Sequence, residues 1–67
     1  MALILHKDHI EEDEVYNITC RLDRDNPIFI SRIYTFPNTK ANSEMEAVIV
    51  ADLESKGYSD LSPVTWV

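Results

Sequence analysis

Residues 26–38 read NPIFISRIYTFPN, and this stretch decides what kind of sheet the chain builds. Proline brackets it at both ends: Pro27 fixes its own φ, and Pro37 cannot donate to a ladder, so the β-rich interior predicts a strand from Ile28 to Phe36. Successive side chains of a strand point to opposite faces. Ile28, Ile30, Tyr34 and Phe36 therefore share one face, and Phe29 and Ile33 share the other. A strand with one face in water alternates apolar with polar residues. Here apolar groups stand on both faces, and the second face needs a cover of its own.

Working outward, Glu14–Leu22 shows the clearest period of two: Tyr16, Ile18, Cys20 and Leu22 against Val15, Asn17, Thr19 and Arg21. The intervening DRDNP, 23–27, supplies the Asx side chains and the proline of a hairpin connection. ALILH, 2–6, predicts a short first strand. KDHIEEDE, 7–14, carries five acids from Asp8 to Glu14 with no usable period and reads as a loop or irregular turn. Ser43-Glu44-Met45-Glu46 matches a capping box, and Gly57 suits the left-handed position after a helix, so a helix is expected from Glu44 to Lys56. Its buried stripe is Met45, Ile49 and Leu53. SDLSPVTWV, 59–67, reads as a turn and a last strand, Val64–Val67, docked through Trp66.

The expected architecture is α+β: a small, mainly antiparallel sheet, β-β-β-α-β in sequence, with one helix on one face. One helix covers one face. Either the acidic loop folds back over the other, or another chain completes the core.

Size and composition narrow the possibilities. The chain has 67 residues, one domain's worth, and a chain of that length buries only about 60% of its unfolded surface. A lone cysteine, Cys20, forms no internal disulfide, which leaves association as the ordinary source of extra buried area and fits a reducing compartment. MALIL runs straight into HKDH without the features of a signal peptide, and no stretch reaches the ~20 apolar residues of a membrane span, so the chain is expected to be cytoplasmic and free of the membrane. Asn17-Ile18-Thr19 matches a glycosylation sequon but reads as three strand residues. Net charge is −6, from twelve acids and six scattered bases. That balance excludes direct phosphate-backbone binding and favours a basic protein surface as partner.

The candidate chemistry is sparse. His6-Lys7-Asp8-His9 offers nitrogen and oxygen ligands but has no second pair to complete a site, so neither metal nor cofactor is expected. Cys20 lies on an apolar strand face with nothing to ionise it, and the single glycine, Gly57, gives no oxyanion-type turn; an enzyme is not expected. Thr65-Trp66-Val67 matches the ending that PDZ domains capture, but a docked Trp66 makes it unavailable.

What remains is a small acidic adaptor or inhibitor docking on a larger protein with a basic or apolar patch. Its expected anchors are Phe29, Ile33 and Tyr34, and Glu11, Glu12, Asp13 and Glu14 are the charged rim that steers the encounter. Two alternatives stand beside it. One is a homodimeric structural subunit that buries the same face against a second copy. The other is an inhibitor of a DNA- or RNA-handling enzyme, with Glu11–Glu14 imitating phosphates. In size, acidity and element order the chain resembles phage-encoded regulators of bacterial enzymes, which implies such a docking role; no motif carries the resemblance further.

Overall fold

The computed structural model describes residues 2–67. Its elements are β1 (Leu3–Ile10), a 3-10 turn (Glu11–Asp13), β2 (Val15–Leu22), β3 (Ile28–Pro37), α1 (Asn42–Ser55) and β4 (Val64–Trp66). The strands form one sheet in the order β3-β2-β1-β4, with β1–β2 and β2–β3 antiparallel and β4 parallel to β1. Two hairpins leave β3 running the same way as β1, so no tight turn can take the chain from β3 to a strand parallel to it. Helix α1 makes that crossing, from one edge of the sheet to the other. The result is the expected α+β architecture, β-β-β-α-β with one helix.

The stripe of Met45, Ile49 and Leu53 is fully buried, as its spacing predicts. It packs on Leu3 and Leu5 of β1, Ile18, Cys20 and Leu22 of β2, and Ile30 of β3, with Leu61 closing the core. Burying each large aliphatic side chain is worth about 1.5–3 kcal/mol, so this single layer carries most of the stability of the domain. Trp66 and Tyr58 pack against its margin.

Most boundaries shift by a residue or two from the sequence reading, and the larger departures have physical reasons. The segment 7–10, expected to begin a loop, continues β1 opposite Ile18, Asn17, Tyr16 and Val15. Eight strand residues run about 27 Å and a 14-residue helix only about 21 Å, so one end of the sheet projects past its cover. Lys7, at the edge of the helix, and His9, toward that uncovered end, lie on the helix side. The Lys7 Nζ lies 4.5 Å from the centre of the Tyr16 ring and donates to Asn42 Oδ1 at 2.9 Å, while His9 meets Tyr16 edge-on at 5.3 Å. The acidic segment does not fold back: it shortens to an exposed hairpin tip, with Glu14 in the left-handed region at φ 55°.

The helix starts at Asn42 with Ala41 as its cap, two residues before the expected start. The predicted capping box does not form, because Ser43 lies inside the helix rather than at its cap; the Glu46 carboxylate instead accepts a hydrogen bond from Trp66 Nε1 at 3.0 Å and fastens β4 to the helix. At the other end Gly57 has φ 93°, as expected of a residue that ends a helix. In β3, Thr19 pairs with Ile33 but Cys20 pairs with Ile30, so Ser31 and Arg32 form a bulge. Two extra residues restore the alternation, and every flanking side chain keeps its predicted face.

On the helix side of β3, the Tyr34 hydroxyl donates to Asp52 Oδ2 at 2.5 Å, and Lys56 Nζ donates to Asp52 Oδ1 at 2.8 Å. The Lys56 hydrogen bond, then that of Tyr34, holds the Asp52 carboxyl below the ordinary carboxylate range. Burial and the Asp52 hydrogen bond raise the Tyr34 phenol well above its usual value, and burial pushes the Cys20 thiol up to about 11. Both raised groups favour the folded state while neutral. Their contribution is complete below the unfolded values of 10.0 and 9.0 and is lost as pH rises beyond them. The melting temperature should therefore fall steadily from pH 9 to 11. Tyr34→Phe should cost about 1 kcal/mol at pH 7 and flatten the part of that fall above pH 10. Thermal melts across this range check both statements; a flat profile would contradict them.

Candidate recognition face

The strand registers sort every side chain of the sheet. Leu3, Leu5, Ile18, Cys20, Leu22 and Ile30 lie under the helix; Ile4, His6, Asp8 and Ile10 of β1 face away from it. They are joined there by Val15, Asn17, Thr19 and Arg21 of β2 and by Phe29, Ile33 and Thr35 of β3. No element among the described residues covers this second face. Phe29 is 77% exposed and Ile33 63%.

Charge is nearly excluded from it. Within the four strands only Asp8 and Arg21 are charged on this face, although the chain carries twelve acids and six bases. His6 Nε2 lies 3.1 Å from Asp8 Oδ1, and Thr35 donates to Asn17 Oδ1 at 2.8 Å, so these four polar groups engage one another in pairs. A sheet face that only meets water carries charged residues freely; an apolar centre depleted of charge is the composition of an interface core.

Of the sequence-predicted anchors, the structure brings Phe29 and Ile33 together on the open face. Tyr34 stands on the opposite side, bound to Asp52 under the helix. Glu11, Glu12, Asp13 and Glu14 are all exposed at the β1–β2 tip, where the Glu14 carbonyl accepts from the Asn38 N–H at 3.0 Å. Thr19, the partner of Ile33, lies four residues along β2 from Val15, about 14 Å at strand rise. That exceeds the ~8 Å screening length of physiological salt, so the charges of the tip are largely screened from the Phe29 and Ile33 patch.

Sequence reasoning missed the centre of the face. Ile4, His6, Thr19, Arg21, Phe29 and Val67 line a concavity of about 360 Å³. Ile4 is buried as its floor, though no layer lies above it. The unbroken alternation of β2 placed Arg21 on this side, but nothing local announced a depression.

The histidines do not make a metal centre. His6 and His9 point to opposite faces of β1, and no group of three or more His, Cys, Asp or Glu side chains converges among the described residues. Nor is any helix there long and apolar enough to cross a membrane. Compared with known protein families, curated protein sequences and solved structures, the chain matches none.

Proposed function

We infer that the protein is a small protein-binding adaptor or inhibitor that docks through the open face of its sheet. The observation that carries this reading is the exposure of Phe29 and Ile33 side by side on a face with almost no charge. Aromatic and branched aliphatic groups set in such a surface are the usual anchors of a protein contact, and the apolar area they hide supplies its free energy. The acidic tip accelerates the approach of a partner with basic residues near its apolar patch. Its four acids sit at one end rather than along a track, which favours steering over imitation of a nucleic-acid backbone.

Light scattering during size-exclusion chromatography is the first experiment. The reading expects a monomer at micromolar concentration that binds a dye for exposed apolar surface, with the dye signal lost in Phe29→Asp. A salt-resistant dimer dissolved by Phe29→Asp would make the partner a second copy. A dye-negative monomer would overturn the docking surface.

A further inference from the structure

The six basic residues of this acidic chain are not equivalent. Lys7 is bonded to Asn42, Arg24 to the carbonyls of Ser59 and Asp60, Arg32 and Lys56 to Asp52, and Lys40 to Glu44. Arg21 alone forms no ion pair or side-chain hydrogen bond among the described residues, and its Nε is buried without an acceptor. Acids outnumber bases two to one, so a base left without a partner is not explained by shortage of carboxylates. It lies in the concavity of the open face, flanked by His6, Thr19 and Phe29 over the buried Ile4. Its guanidinium keeps donor capacity at the terminal nitrogens that no group of the chain uses.

We propose that this concavity is a socket for a carboxylate side chain of the partner protein, an Asp or Glu flanked by apolar residues. The carboxylate accepts from the two terminal nitrogens of Arg21 side by side, an end-on geometry in which a guanidinium holds a carboxylate with two parallel hydrogen bonds. Thr19 and His6 stand at the margin, and the flanking apolar groups lie on Phe29 and Ile33. The net charge of −6 does not oppose this. The acids that produce it lie at the tip, in the loops, on the helix and at Asp8, which His6 engages on the open face, whereas Arg21 is the base that has neither an ion pair nor a side-chain hydrogen bond among the described residues. The inference rests on the open face being the docking surface and adds what the partner places at its centre.

The test uses two peptides, acetyl-Thr-Phe-Glu-Phe-Thr-amide and its Gln counterpart, titrated into the ¹⁵N-labelled full chain. The Glu peptide should move the Arg21 Nε–Hε resonance together with the amides of Thr19 and Phe29, and bind about tenfold more tightly than the Gln peptide. Arg21→Gln should erase that preference while the spectrum stays dispersed; Phe29→Ala should weaken both peptides equally. Equal affinity of the two peptides, with Phe29 and Ile33 still perturbed, would overturn the socket and leave the docking face standing. Shifts confined to Lys7 or Lys40, or none at Phe29, Ile33 and Arg21, would overturn both.

Discussion

Ile49→Ala should abolish cooperative unfolding at 37 °C. Ile49 is the middle of the three helical side chains that carry the core, with no exposed surface. Truncating a fully buried isoleucine costs about 2–5 kcal/mol, the lost transfer free energy plus that of the cavity. At 0.05–0.15 kcal/mol per residue, a domain of 67 residues has about 3–10 kcal/mol in all. One layer of helix on one side of the sheet provides no second core to absorb the loss. Ile49→Val should cost only about 1 kcal/mol and keep a sharp transition. Urea titration followed by circular dichroism separates the cases; a cooperative Ile49→Ala transition within 1 kcal/mol of wild type would mean that the core lies elsewhere.

The paired substitution of Phe29→Asp and Ile33→Asp should have the opposite profile. Both side chains are mostly in water, so the folded state loses little: about 1 kcal/mol or less, chiefly from the poor fit of Asp to a strand. Binding should collapse. Central anchors are each worth about 2 kcal/mol or more, which is roughly thirtyfold per residue. Apparent affinity should therefore drop by several hundredfold while the melting temperature shifts by only a few degrees. A large loss of stability with unchanged binding would place Phe29 and Ile33 in the structural core and remove the docking surface.

The contrast between these variants follows from the stretch that begins at Asn26. Its alternation assigned Phe29 and Ile33 to one face and Ile28, Ile30, Tyr34 and Phe36 to the other, and the register bears this out. The bulge at Ser31 and Arg32 left no trace in the sequence because two inserted residues preserve parity. The second half of β1 was illegible for a different reason. Lys7, Asp8 and His9 are polar on both faces, since one side is open and the other lies at and past the N-terminal edge of the helix, where Lys7 meets Asn42. The eight-residue alternation of β2 was the available hint that its neighbour had to be equally long.

The helix start was misread through local pattern alone. Ser43 and Glu46 have the spacing of a capping box, but the helix begins ahead of Ser43, and the Glu46 carboxylate accepts from Trp66, twenty residues onward. Arg21 was hidden by the same kind of nonlocal fact. Its face could be read from β2, but its lack of a partner emerges only when the other five bases are seen to have theirs. Patterns that repeat along the chain were legible; pairings that depend on which distant group arrives first were not.

Site-specific photo-cross-linking in the cells that make the protein tests the central claim most directly. A photoreactive side chain at position 29 is compared with one at position 48, because Val48 is also an exposed apolar residue, 53% accessible, but lies on the helix. The docking face predicts one discrete adduct from position 29, absent from position 48 and lost when Ile33→Asp is added. The same adduct from both positions, or one from position 48 alone, would contradict it.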